Sequence, residues 1–598
     1  MKFLKIFLAT LLAMVVGTVL SWILCIVIFS GLAGSMGQKT TATITPQTIV
    51  KIDFAENISD APVKNPMAGF DYKTMTMEKS TNLLKVLQSI EAAKSDERIK
   101  GIYINITGMG SVTSGALEEI RAALIDFKAS GKFIVAYNES YAQGGYYLAS
   151  VADKVYLHPE GGFSLSGMAF PTIFFKGALD KLGLNAEIFR PTVCKYKSAV
   201  EPYFRKDMSK ENRAQMQMIA DDMWSVLIGG IAESRGLDVA KLNSLVGKLQ
   251  LTEAKDALKH NLVDALIYED EMEAKFAEYG VEKGEDGKFN IISLGEYMAL
   301  APIFPKFGAP AVGIVYAEGQ VLDGEGEDDN VYSVNVCNTL RKAREDKDIK
   351  AVVFRVNSPG GSALASDVIW REVELLRKEK PVIVSMGSYA ASGGYYISAP
   401  ADAIIADKLT LTGSIGVFGM MLEGENMLKS RLGITTDVVK THPSSDMGTS
   451  IMGIGIRKMT DAERKVFIRS VDKVYETFTS KVAAGRNLPI EKVLDIAQGR
   501  VWSGSRAVEL GLADANGGLR EAIAVAVDKA GIAENFRVTE VLEDLSPMAM
   551  MMQSLNVKAK SLLLDSETLE AVEYYNSLKR EIAREGVQAY CPYTFGIN

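Results

Sequence analysis

Ser392 stands in SYAASGGYY, after a strand-like run and two alanines and before two glycines. Glycines let the backbone turn sharply and approach a ligand closely. A serine on such a strand-to-helix turn is exposed, with backbone N–H groups beside it that can stabilise an oxyanion. Upstream, RVNSPGGS (residues 355–362) leaves a strand through Pro359, Gly360 and Gly361, a turn with bare backbone suited to offering a further N–H. Taken singly, the serine also reads as a helix cap and the glycines as a strand-ending turn. A nucleophilic serine needs a base. The chain has three histidines, and His442 is the one near this region, in the loop-like KTHPSSD. A lysine serves as base where burial brings its pKa down from about 10.4 toward neutral. CKYKSAVEP (residues 194–202) offers Lys195 and Lys197 at the end of the strand-like EIFRPTV. Two residues apart, they face the same side of a strand, and the pattern alone does not choose between them.

A repeat relates these pieces. Placing Gly144-Gly145 of GKFIVAYNESYAQGGYYLASVADKVYLHP, which begins at Gly131, on Gly393-Gly394 of EKPVIVSMGSYAASGGYYISAPADAIIAD, which begins at Glu379, gives an offset of 249 residues, and the flanks agree without gaps. ERIKGIYINITGMGS matches KDIKAVVFRVNSPGGS, and DKLGLNAEIFR matches SRLGITTDVVK. Where the second copy has Ser392, the first has Gln143, and its counterpart of NSPGGS is the degraded TGMGS. The first copy has a lysine without the serine; the second has a serine with no lysine matching Lys197. Together the two half-sites make one dyad across the boundary between copies.

The elements that position these residues are α/β in both copies. IKAVVFRV reads as a buried strand, ASDVIWREVELLRKEK as an amphipathic helix and PVIVSMG as the next strand. That succession gives right-handed parallel crossovers. TDAERKVFIRSVDKVYETFTSKVAAGR closes the copy as a long helix, with Thr460 and Glu463 as its capping box. We divide the chain into residues 1–37, a cytoplasmic tip and transmembrane anchor; 45–295, the copy with the lysine; 305–540, the copy with the serine; and 541–598, a helical extension to which no function is assigned.

The anchor rests on Ile6–Gly37, a run with no charged residue, longer than the roughly 20 apolar residues that span a bilayer. Lys2 and Lys5 before it leave the N-terminus in the cytoplasm and the body outside. A cleaved signal peptide is the rival, with a shorter apolar stretch. The 66 basic and 74 acidic residues give a net charge of -8, which provides no basic field for nucleic acid. Four cysteines without a C-x-x-C pair, and scattered histidines, support no metal or redox centre; no cofactor is expected.

KYKSAVEP, VNSPGGS, MGSYAASGGYY and LTGSIGVFG resemble the motifs of signal peptide peptidase A in its long, two-copy form, over nearly the whole chain. The resemblance implies tandem domains of the Clp protease and crotonase fold class, and a serine endopeptidase that degrades remnant signal peptides and other apolar peptides. By position it makes Ser392 the nucleophile and Lys197 the base. Gly361 and Gly393 become the oxyanion amides, and Ser414 of LTGSIG the residue that holds the lysine. It further implies a homotetramer on the bacterial inner membrane, with the catalytic body on the periplasmic side.

Overall fold

The computed structural model describes residues 43–543 and 587–591, apart from residues 55, 64–69, 72–75, 78–79, 107–111, 302–307, 327 and 452. The expected anchor, the TGMGS loop and most of the extension lie outside the described residues. Among those described, no helix is long and apolar enough to cross a membrane.

Two sheets carry the architecture, and they repeat one strand order. In the first, Ala265–Leu266, Lys154–Leu157, Phe133–Asn138, Ile99–Ile104, Thr48–Ile52 and Ile291–Ser293 lie side by side, all parallel. In the second, Ala515–Asn516, Ala403–Ala406, Val382–Ala391, Ile349–Ser358, Ala311–Glu318 and Arg537–Glu540 follow the same order, again parallel. Their continuous Val, Ile and Ala runs suit strands covered on both faces: Ile102, Ile104, Ile134, Val352, Val353, Ile383 and Val384 are all fully buried. Each copy also has a 26-residue helix, Lys210–Arg235 and Asp461–Arg486. The second begins at the expected capping box, Thr460 with Glu463.

Around its central strand the second copy has a full ladder where the first, among the described residues, has only the isolated bridges Tyr141 to Phe163 and Gly162 to Glu253. Val382–Ala391 runs four residues beyond its Phe133–Asn138 counterpart and pairs there with Leu411–Gly413, which pairs antiparallel with Val501–Ser503. This extra ladder lies next to Ser392. Across the copies, Asn185–Phe189 pairs antiparallel with Gly419–Glu423 in a separate small sheet, so strands of both copies join just before the Lys197 turn.

A buried ionic cluster ties the copies together. Arg355, on the central strand Ile349–Ser358, is fully buried and pairs with Asp60 and Glu119 of the first copy. Its Nε donates to Asp60 Oδ1 at 2.7 Å, and Glu119 Oε1 lies 2.7 Å from the guanidinium. Asn357 Nδ2 donates to Asp60 Oδ2 at 2.6 Å, and the Leu519 amide donates to Glu119 Oε2 at 2.6 Å. Two carboxylates out of water are tolerable only with such partners. Removing the cation by Arg355→Met leaves both acids buried without it, and about 3–5 kcal/mol of stability should be lost. Denaturant unfolding checks this, and an unchanged midpoint would show that the cluster does not hold the copies together.

Candidate active site

Ser392 ends the long strand Val382–Ala391 and caps the short helix Gly393–Ser398. Its backbone has φ 57° and ψ −113°, a region that costs a residue with a side chain of order 1–3 kcal/mol. Hydrogen bonds hold the conformation: the Ser392 amide donates to Gly413 O at 2.8 Å, and the Tyr396 amide donates to Ser392 O at 2.8 Å. The turn aims the hydroxyl across the boundary between copies.

Facing it is the Lys197 amine, with Nζ 2.7 Å from Ser392 Oγ. The same nitrogen lies 2.9 Å from Ser414 Oγ and 3.0 Å from the Ser414 carbonyl. A neutral amine has two N–H groups and one lone pair. Donation of both N–H groups to the two Ser414 oxygens leaves the lone pair to accept the Ser392 O–H. Lys197 is 1% exposed, and this burial lowers its pKa to about 7; the nearby Cys591 and Cys194 thiols oppose the shift as a smaller effect.

Lys197 does not lie on a strand, contrary to the sequence-based expectation. The strand ends at Phe189, and residues 192–197 turn into the short helix Ser198–Val200. The shared-face reading of Lys195 and Lys197 therefore fails. Lys195 is exposed and Lys197 is buried, because a chain reversing direction does not keep the two-residue period of a strand. The turn is clasped by a loop of the second copy. The Tyr196 amide donates to Gln498 O at 3.1 Å, and Arg190 donates to Lys197 O at 2.8 Å. Gly499 has φ 78°, and a Cβ there would come within 2.5 Å of Lys197 Cβ. On either side of that glycine, the Gly499 amide donates to Ile415 O and the Ser414 amide donates to Arg500 O. One loop thus positions the lysine turn and Ser414 together. The sequence reading missed it; a glycine in QGR on the far side of a long helix has no pattern that ties it to residue 197.

The glycine loop follows the strand Ile349–Ser358 and continues as Gly360–Ser362. A Cβ on Gly393 would come within 3.0 Å of the Gly361 amide nitrogen, so the Gly361 and Gly393 amides border one small space. A further strand, Gln588–Tyr590, lies antiparallel to Gly360–Ser362 with Ala589 opposite Gly361. At the matching place in the first copy, Gln143 is buried and turned onto the backbone. Its Oε1 accepts from the Gly167 amide at 3.1 Å and from the Ser166 amide at 3.3 Å. The amide side chain there holds the loop that corresponds to the Ser414 loop.

A family model described as Peptidase family S49 matches residues 126–282 and 374–533. Protease 4 of Haemophilus influenzae is 38% identical over 475 residues, covering 77% of this chain and 74% of its own length. This chain belongs to peptidase family S49. Protease 4 of Salmonella typhi is 32% identical over 559 residues, 91% of this chain and 88% of the relative. A chloroplastic serine protease, SPPA, of Arabidopsis thaliana is 32% identical over 517 residues, 85% of this chain and 74% of its own. The S49 chain is accordingly a serine protease, and both matched stretches fall within its two α/β copies.

For this S49 protease, Gly499→Ala is a test of the lysine's placement that leaves Ser392 and Lys197 themselves unchanged. The strained φ and the 2.5 Å approach displace the Lys197 turn. Labelling of Ser392 by a serine-directed covalent probe should slow by about tenfold or more, the effect of ~1.4 kcal/mol, with circular dichroism unchanged. Labelling at the wild-type rate would show that the loop does not position the lysine.

Proposed function

We propose that this S49 protease is a membrane-anchored serine endopeptidase with a split dyad, Ser392 from one copy as nucleophile and Lys197 from the other as general base. The observation that carries the reading is the 2.7 Å approach of the buried Lys197 amine to Ser392 Oγ. Burial also supplies the needed chemistry. An amine with a pKa near 7 keeps a free lone pair at neutral pH and still returns a proton.

In this reading Lys197 takes the hydroxyl proton as Ser392 Oγ attacks a peptide carbonyl carbon. Charge builds on the carbonyl oxygen, which the Gly361 and Gly393 amides stabilise; one such donor is worth about 2.7–4 kcal/mol. Lys197 then protonates the leaving amine, and water activated by the same nitrogen hydrolyses the acyl-enzyme. Ser414 is a positioning residue: its two acceptors fix the amine's rotation so that the lone pair points at Ser392. The tandem copies are read as Clp protease/crotonase-like units.

The substrates we infer are cleaved signal peptides and other apolar peptides. The uncharged Ile6–Gly37 run supports a single-pass anchor, with the body at the outer face of the bacterial cytoplasmic membrane. A site tethered there meets apolar peptides as they leave the bilayer. A homotetramer completes the proposal.

Turnover of an apolar signal-like peptide by the detergent-solubilised chain tests the dyad. Ser392→Ala and Lys197→Ala should each lower kcat by at least about 10³-fold, while Lys195→Ala stays within about twofold of wild type. Wild-type turnover in Ser392→Ala would end the reading, and full activity in Lys197→Ala would end the role of that lysine.

The pH dependence has a definite sign. Below about pH 7 Lys197 is protonated and has no lone pair. The rate should therefore rise with pH through about 7 and level off above it, falling about tenfold per unit on the acid side. A pH–rate profile of kcat/KM reads this directly, and a flat profile between pH 5 and 8 contradicts a lysine base.

A further inference from the structure

Arg500 has no part in the mechanism above, yet it lies where both supports of the Lys197 amine are held. Its carbonyl oxygen accepts from the Ser414 amide at 2.7 Å. Its side chain reaches the lysine turn. The guanidinium carbon lies over two rings, 4.8 Å from the centre of Tyr196 in the first copy and 4.2 Å from that of Trp502 in the second. Tyr196 immediately precedes Lys197. Trp502 is itself fixed, since its Nε1 donates to Ile496 O at 3.0 Å and its strand pairs with Leu411–Gly413. The long helix of the first copy closes the same place. Its fully buried Gln215 accepts from the Val501 amide at 2.8 Å, while Gln215 Nε2 donates to Ser198 Oγ at 3.4 Å.

Hydrogen bonding does not account for where the guanidinium sits. Among the described residues no acceptor meets its buried Nε, and the Nη2 contact is the thioether of Met218 at 3.6 Å, a weak acceptor. A buried donor left unpaired is costly. The ring faces supply the attraction instead, and a flat guanidinium stacks on them as an ammonium does not. The repeat gives a second line of argument. GLADA (511–515) matches NLVDA (261–265) at 250 residues, which places Leu249, Gln250 and Thr252 at the positions of Gly499, Arg500 and Trp502. Leu249 keeps the left-handed backbone, with φ 53° against 78° at Gly499, but Leu249 and Gln250 are exposed. The copy without the serine therefore keeps the turn and has no cation on it, so the fold that the copies share does not require Arg500.

We propose that Arg500 is a positioning residue for the dyad: stacked on Tyr196 and Trp502, it holds the lysine turn against the loop that carries Ser414, and so keeps the amine aimed at Ser392 and sealed from water. The inference rests on the dyad reading. One residue serves both supports, Ser414 through its carbonyl and the turn through its side chain. Without the guanidinium the two rings lose what joins them, water reaches the amine, and the penalty that favours its neutral form shrinks.

Turnover of an apolar signal-like peptide by the detergent-solubilised chain between pH 5 and 9 tests this, in wild type, Arg500→Met, Arg500→Lys, Arg506→Met and Ser392→Ala. Arg506→Met removes a different contact between the copies, Nη2 to Asp222 Oδ1 at 2.8 Å, and leaves Arg500 and both rings in place. Arg500→Met should lower kcat about tenfold or more with KM within about twofold of wild type. Its acid limb of kcat/KM should also move up from about pH 7, by about half a pH unit or more. Arg500→Lys should show both effects in smaller size, and Arg506→Met neither. Wild-type kcat with an unmoved limb in Arg500→Met overturns the proposal; if that variant does not fold, the same result in Arg500→Lys does so. A fall in kcat shared by Arg506→Met, with the limb in place, overturns it as well, since any loosening of the boundary would then suffice. Turnover retained in Ser392→Ala removes the dyad reading and this inference with it, whereas loss there beside wild-type behaviour in Arg500→Met leaves the dyad standing alone.

Discussion

A lysine amine kept out of water is the condition on which the rest of this site depends. In solvent its pKa near 10.4 would leave almost no lone pair at neutral pH, and the serine opposite it would be an ordinary hydroxyl. Burial disfavours the charged form, and that penalty is what brings Lys197 to about 7. The partners around Nζ match this. Ser392 and Ser414 offer hydroxyl and carbonyl oxygens rather than a carboxylate, and an acid at either place would favour the ammonium and undo the shift. Hydroxyls give direction to the amine without charging it.

Neither copy can supply that environment alone. The first copy brings the lysine on a turn. The second covers it with the Gln498–Arg500 loop, the Ser414 loop and the serine itself. The boundary between copies must therefore be as well ordered as a protein interior. The Arg355 cluster serves this end: one guanidinium meeting two carboxylates from the other copy tolerates little displacement, since a small shift leaves a charge unpaired in a low dielectric. Asn185–Phe189, paired with Gly419–Glu423, adds main-chain register just before the lysine turn.

Ser392 and Ser414 both have positive φ without being glycine, and both lie beside Gly413 O or Arg500 O, which accept their amides. The surrounding ladder, reduced to isolated bridges in the first copy, holds them in place. Duplication explains the asymmetry. Both units keep the strand order and the core, while the position of Ser392 is Gln143 in the first copy, whose amide oxygen accepts from the Ser166 and Gly167 amides. Fold and site were separable.

Much of this was legible in the linear chain, because repeats and strand periods are local. The offset alignment, the α/β succession, the Thr460 cap and the loss of Ser392 in the first copy can all be read without coordinates, since each depends on neighbours in sequence. The pairing of a lysine-only half with a serine-only half was legible too, as complementarity. What depends on residues far apart was not. Lys195 and Lys197 are equivalent by spacing, and only the packing of a turn against Gly499, some three hundred residues later, exposes one and buries the other. Residues 587–591 carry no periodic signal, since three strand residues are too few for one, and their place beside Gly361 depends on an edge formed by another part of the chain. Sequence specified the chemical groups and the repeating frame; tertiary packing decided which amine loses its proton, because desolvation belongs to the folded surroundings and to no residue by itself.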